Sequence, residues 1–206
     1  MSEQRWSVEQ VVDASTPATV VRSYLEQAAV RRYLEYASAR LNLGCAADIG
    51  AGYGRLSLVL AERAAQVVCC EREPGLVDLA RRLLPAPLDV RQIETLARLP
   101  LPERSCQFVL VFTVLQHLTD ADLPAVAAEL LRIVDHPGYL LLCEETDETL
   151  RLLPDGTAGA TTGRPVAAYQ ELLRPLVLVE TAPRTVEPTY PRAHPGTYML
   201  FRSPEA

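Results

Sequence analysis

Seven residues, Asp48-Ile49-Gly50-Ala51-Gly52-Tyr53-Gly54, constrain this chain more than any other stretch. A short apolar run over residues 45–49 leads into them, and a helical pattern over 55–65 leads out. Glycine reaches backbone conformations closed to other residues and lets a ligand approach the main chain. A strand, a glycine turn and a helix in that order open a doubly wound α/β sheet, where ligands bind beyond the carboxyl ends of the strands.

The rest of the chain repeats the alternation. Residues 66–71 form a second apolar strand ending in an acid, and Glu73-Pro74 opens a helix to residue 84. A short strand follows over 87–92, then a loop with Pro100, Pro102 and Glu103-Arg104-Ser105. Residues 106–114 are almost wholly apolar, the pattern of a strand covered on both faces. Asp120 caps a helix to about residue 134, His136-Pro137-Gly138 turns the chain, and residues 139–143 make a fifth strand. Residues 155–163 read as a loop, Arg164-Pro165 starts a helix to about 174, and two strands close the chain over 176–186 and 197–202. A bend with Pro188, Pro191 and Pro195 joins those two strands, with no helix between them. Ahead of everything, Thr16-Pro17 is a helix start, with a cap and a first-turn proline, and the helical pattern runs over 20–41.

This order predicts an α/β fold, a doubly wound, mostly parallel, seven-stranded sheet with helices on both faces and the last strand antiparallel. The length, 206 residues, fits a single domain. Within it, 1–43 form an N-terminal helical lid, 44–145 a ligand-binding core, and 146–206 a C-terminal part with edge strands.

Composition narrows the classes. No apolar run nears the roughly 20 residues of a membrane span, and Met1-Ser2-Glu3-Gln4-Arg5-Trp6 does not start a signal peptide. A cytoplasmic protein away from membranes is expected. The net charge of −6 argues against a nucleic-acid partner gripped through phosphates, and every cation is arginine. Five cysteines with no CxxC pair predict neither a disulfide framework nor a metal site, but small buried apolar residues.

The ligand follows from spacing and charge. Glu71 ends the second strand about 20 residues after the turn, where an acid takes ribose hydroxyls. The glycines are spaced G-x-G-x-G, and Arg55 stands where a dinucleotide fingerprint has its third glycine. Asp48 beside the turn would repel pyrophosphate but suits a ligand carrying an ammonium and a sulfonium. S-adenosylmethionine (SAM) carries both.

At this point the chain resembles the class I SAM-dependent methyltransferases of the small-molecule type, over about residues 20–202. Asp48 to Gly54 is similar to the family's first motif, D-x-G-x-G-x-G. The resemblance implies cofactor contacts from Asp48, Gly50, Ala51, Gly52, Tyr53 and Gly54, with Tyr53 along the methionine arm. It implies Glu71 on the ribose, Arg72 beside adenine, and Ile93-Glu94 in the adenine-contacting segment, where aspartate is common in place of Ile93. Phe112-Thr113-Val114-Leu115-Gln116-His117-Leu118-Thr119-Asp120 resembles the segment after the fourth strand and brings Phe112 and Thr113 to the cofactor. Cys106-Gln107 departs from the aromatic-Asp pair that usually begins that strand. His136-Pro137-Gly138-Tyr139 looks like the turn into strand five, and the run from Gly196 to Arg202 like the final edge strand. An Arg or Tyr of the N-terminal helix, with Tyr33 the named candidate, is implied at the methionine carboxylate.

Methyl transfer from a sulfonium is an in-line displacement governed by orientation. A hydroxyl or ammonium nucleophile must also lose a proton, which a nearby base would take. His117, just past strand four, is the first candidate catalytic residue, and Glu145 the second. Glu144 and Glu145 otherwise read as a solvated strand end, His136 as structural and His194 as a surface residue.

The expected activity moves methyl from SAM to a small-molecule hydroxyl or amine, leaving S-adenosylhomocysteine (SAH). Two alternatives stand beside it: a protein or peptide methyltransferase, for which Gly-Tyr-Gly-Arg, Glu-Arg-Glu-Pro and His-Leu-Thr-Asp have a passing similarity, and a non-catalytic SAM-binding protein. Base-amine modification is disfavoured, because residues 112–115 do not read (N/D)-P-P-(Y/F). The acceptor pocket is expected between the N-terminal helix, the end of strand four and residues 147–164, open or closed by the second subunit of a homodimer. Trp6 would close the site or pack on the core.

Overall fold

The computed structural model describes residues 16–85, 88–150, 161–189 and 196–204. Trp6 and the first fifteen residues, Pro191, Pro195, His194 and most of the 155–163 loop lie outside them.

Helix α1 (Pro17–Ser38) begins as its sequence predicts: Thr16 accepts a hydrogen bond from the Thr19 amide, and proline occupies the first turn. It buries Glu26, Val30, Tyr33, Leu34 and Ala37, steps of three and four that make one face. Strands β1 (Cys45–Ile49) and β2 (Gln66–Glu71) match their expected bounds, followed by helix α3 (Pro74–Leu83), strand β3 (Leu88–Gln92) and strand β4 (Cys106–Phe112). Helix α2 (Ser57–Leu60) lies between β1 and β2. Helix α4 (Leu123–Ile133), strand β5 (Val134–Glu144), helix α5 (Val166–Leu172) and strands β6 (Val177–Pro183) and β7 (Thr197–Arg202) complete the chain.

The seven strands form one sheet in the order β3-β2-β1-β4-β5-β7-β6. Neighbours from β3 through β5 pair parallel, and β7 inserts antiparallel between β5 and β6. Successive residues serve opposite faces, as pleating requires. Phe108, Leu110 and Phe112 of β4 pack with Val30 and Leu34 of α1 and Leu60 of α2. Val109 and Val111 pack with Leu130 of α4 and Tyr169 of α5. The doubly wound architecture is therefore present, with its last strand antiparallel.

Several expected bounds move, each for a local reason. The helix after the glycine turn is only the four residues of α2, not 55–65. Tight i to i+3 bonds flank it (Val59 N to Leu56 O, 3.0 Å; Arg63 N to Leu60 O, 3.2 Å), and the chain then returns to the sheet through Ala65 N to Leu43 O at 2.9 Å. Strand β4 ends at Phe112, because Thr113 takes a left-handed φ of 55°. The turn expected at 136–138 is a bulge inside β5, where pairing jumps from Cys106–Val134 to Phe108–Tyr139. Helix α4 starts at Leu123 rather than Asp120, and β6 stops at Pro183.

The five cysteines are free thiols, four buried and Cys45 partly exposed. No helix of the described residues is long and apolar enough to cross a membrane.

Leu110 sits fully buried in the central strand. Leu110→Ala should cost about 2–5 kcal/mol, read as a lower urea midpoint at unchanged slope. A cost below about 1 kcal/mol would place the core elsewhere.

Candidate active site

The carboxyl ends of β3, β2, β1, β4 and β5 lie side by side, and most of the residues singled out by sequence stand on or just beyond them. The glycine turn leaves β1 with Gly50, Gly52 and Gly54 at φ of 75°, 59° and 86°. Such angles strain any residue with a Cβ. At Gly50 a Cβ would also stand 2.4 Å from the stiff, branched side chain of Val114. The Gly50 and Ala51 amides donate to Cys70 O at 2.8 and 3.1 Å, which ties the turn to the end of β2.

Glu71 completes that tie. Its Oε2 accepts from the Gly52 amide at 2.9 Å, and its Oε1 accepts from the Arg72 and Glu73 amides at 2.7 and 2.9 Å. A carboxylate offers about four lone-pair sites, so one remains on Oε2 for a further donor. Beside it, the Ile93 amide bonds Glu71 O at 2.9 Å and extends the ladder. The Ile93 side chain is buried and Glu94 is exposed, whereas Tyr53 and Arg72 are partly exposed at the rim.

Asp48 is 2% exposed and accepts a 2.6 Å hydrogen bond from Ser57 Oγ. Burial pushes its carboxyl up to about 6, against the opposing pull of the Ser57 hydroxyl and the Arg55 charge. An ionised carboxylate this buried is stabilised by a cation placed beside it.

The sequence reading missed a cluster next to the turn. Glu26 of α1, 2% exposed, pairs with Arg55 at 2.5 Å and with Arg184, whose Nε donates at 2.9 Å. Both guanidinium groups lie over the Phe112 ring, at 5.4 and 5.2 Å from its centroid. Arg22 and Glu187 pair at 3.5 Å. Two buried donors here, Arg55 Nη1 and the Tyr198 hydroxyl, have no partner among the described residues. Buried polar atoms are normally satisfied; these two donors are open to an acceptor group, and one buried acceptor of the cluster, Glu187 Oε2, has no partner among the described residues either. The Tyr33 ring packs 5.7 Å from that of Tyr198, and its hydroxyl donates to Glu180 at 3.4 Å.

Beyond β4, Thr113 donates its amide to Cys143 O at 2.7 Å, and a single 3-10 turn, Leu115–His117, follows. Glu144 is not a solvated strand end. It is wholly buried, and its carboxylate accepts from the amides of Val114, Leu115 and Gln116 at 3.0, 3.1 and 2.9 Å. Burial pushes its carboxyl up to about 7, and those three amides pull it back. Buried Arg164 grips the other end of the segment, donating to Leu115 O and Leu118 O at 3.2 and 2.7 Å and pairing with Asp120 at 2.8 Å.

Glu145 is buried as well, its Oε1 accepting from the Thr146 and Asp147 amides at 2.9 and 3.0 Å. His117 is partly exposed, and its Nε2 lies 3.2 Å from Gln116 Nε2. His136, near the start of β5, belongs to the opposite end of the sheet. No three metal-ligating side chains gather among the described residues.

Residues 47–142 match the family described as a methyltransferase domain. No curated protein matches the chain. A SAM-dependent methyltransferase from Leishmania major superposes with a TM-score of 0.74 at 20% identity, over 96% of this chain and 77% of that one. The N-methyltransferase NodS from Bradyrhizobium japonicum, solved with SAH, superposes with a TM-score of 0.73 at 15% identity, over 96% and 97%. A methyltransferase of Haloferax volcanii, solved with the Trm112 activator, gives 0.67 at 15% identity, over 91% and 96%. Residues 47–142 thus resemble a methyltransferase domain, in a chain that has the fold of these SAM-dependent methyltransferases.

Proposed function

We propose that this enzyme transfers methyl from SAM to a hydroxyl or amine of a small molecule, in the cytoplasm. The observation that carries the cofactor's placement is the pair of carboxylates flanking the glycine turn, Asp48 at the end of β1 and Glu71 at the end of β2. Glu71 takes the ribose through the site left on Oε2 and by yielding the Gly52 amide. Ile93 supplies an apolar wall for adenine, with Glu94 and Arg72 at its rim. Asp48 faces the ammonium, Tyr53 borders the methionine arm, and the unpartnered Arg55 Nη1 and Tyr198 hydroxyl suit the methionine carboxylate.

Bound SAM supplies an electrophilic methyl on sulfur. The chain's own part is orientation: Phe112 and Thr113 form the floor, and the 3-10 turn held by Glu144 and Arg164 forms a fixed wall. His117 is the side chain of that wall assigned to the acceptor. Glu145 fixes the start of the segment after β5 and lies next to it. NodS, nearly the same length, is an N-methyltransferase, which fits an amine acceptor. Isotope-labelled SAM in a cell extract should mark the low-molecular-mass fraction. Label confined to polypeptides would transfer the assignment to protein substrates.

Glu71→Ala should weaken SAH binding by at least about 100-fold in isothermal titration, since it removes a charged hydrogen-bond acceptor. Unchanged affinity would put the ribose elsewhere. A second outcome follows from Asp48. A cation binds its ionised form, so SAH affinity should be full above about pH 6. Below that value it should fall by up to about tenfold per unit, because binding must expel the Asp48 proton. Asp48→Asn should flatten this dependence and weaken binding at neutral pH. A wild-type affinity independent of pH between 5 and 7.5 would separate Asp48 from the ligand.

A further inference from the structure

The 3-10 turn after β4 holds a hydrogen-bond sequence whose direction is determined from one end. It starts at the Glu145 main-chain N–H, which can only donate. That N–H points at the Gln116 side chain at 2.9 Å, so the atom it meets is the amide oxygen. The other end of the Gln116 amide is therefore the NH2 group, a donor with no lone pair to offer. It lies 3.2 Å from His117 Nε2, so Nε2 accepts. An imidazole that accepts at Nε2 and is neutral carries its hydrogen on Nδ1. The imidazolium would set two donors face to face.

Gln116 has little freedom to reverse this order. It is 8% exposed, its main-chain N–H donates to Glu144 Oε2 at 2.9 Å, and its main-chain carbonyl accepts from the Thr162 amide at 2.8 Å. The His117 amide is held by Val114 O at 3.1 Å. We propose that Gln116 is a positioning residue that holds His117 in the neutral Nδ1–H tautomer, so that its Nε2 lone pair is already occupied when the acceptor arrives.

This deepens the small-molecule reading and rests on it for the place of His117 beside the acceptor. While Gln116 is in place, His117 does not collect the nucleophile's proton at Nε2. The fitting acceptor is an amine that arrives with its own lone pair. Its nitrogen forms the new N–CH3 bond as the CH3–S bond breaks, the bonding pair stays on sulfur as the thioether of SAH, and the ammonium product later gives a proton to water. Of the two acceptor classes, hydroxyl and amine, the amine is the one this arrangement serves.

The test reads the tautomer in the 15N-labelled full-length chain by long-range 1H–15N correlation at neutral pH. The three histidines are assigned by single His→Asn variants. The expected spectrum shows His117 Nδ1 protonated and Nε2 unprotonated. A protonated Nε2, or an average of both tautomers, overturns the proposal. Gln116→Glu keeps an acceptor for the Glu145 amide but presents a carboxylate oxygen to the ring, and should move the hydrogen to Nε2. A tautomer unchanged in that variant also overturns the role of Gln116. If Gln116→Glu does not fold, Gln116→Met replaces it, with tautomer averaging as the expected result and an unchanged Nδ1–H form as the contrary one. The ligand-free spectra need neither SAM nor acceptor, and SAH titrated into the same sample reports the cofactor assignment separately.

Discussion

Loops beyond the carboxyl ends of the parallel strands carry partly or wholly buried main-chain amides, and carboxylates satisfy them here. Glu71 closes on the amides of Gly52, Arg72 and Glu73, and Glu144 on those of Val114, Leu115 and Gln116. An unmet buried amide costs about 1–3 kcal/mol, so neither loop would hold its shape without its acid. The first acid shapes the glycine turn proposed for the cofactor and the second the wall proposed for the acceptor. Both are the last residues of their strands, and the register of the sheet puts each beside the loop it fixes.

A third anchoring acid comes from outside the sheet. Glu26 of α1 draws Arg55 of the glycine turn and Arg184 after β6 onto the Phe112 ring. Removing one member of a buried ion cluster leaves charge uncompensated, at a cost of about 3–5 kcal/mol. Helix α1, the turn and the segment after β6 are thus joined at one point, next to Arg55 Nη1 and the Tyr198 hydroxyl, which have no partner among the described residues. A ligand carboxylate at that point would share Arg55 with Glu26.

Much of this was legible in the sequence. The strands β1, β2 and β7 match their apolar runs, and the glycine turn and Glu71 occupy the positions their spacing implies. The shortness of the helix after the turn was not legible, because a helical pattern over 55–65 does not reveal that the chain must bend back within a few residues to pair Ala65 with Leu43. Glu144 and Glu145 read as a polar strand end, since nothing local announces that the amides of 114–116 and 146–147 will need them. The Glu26–Arg184 pair joins positions 158 apart and leaves no local trace. Tyr33 has helical spacing on a buried face, and tertiary packing turns its hydroxyl to Glu180.

The proposed role of Glu71, holding the methyl donor at the turn between β1 and β2, is open to direct observation in a crystal structure with SAH. The ribose hydroxyls should lie on the Glu71 carboxylate, with the Gly52 amide released. SAH bound away from the turn, with Glu71 still closed on all three amides, would contradict it.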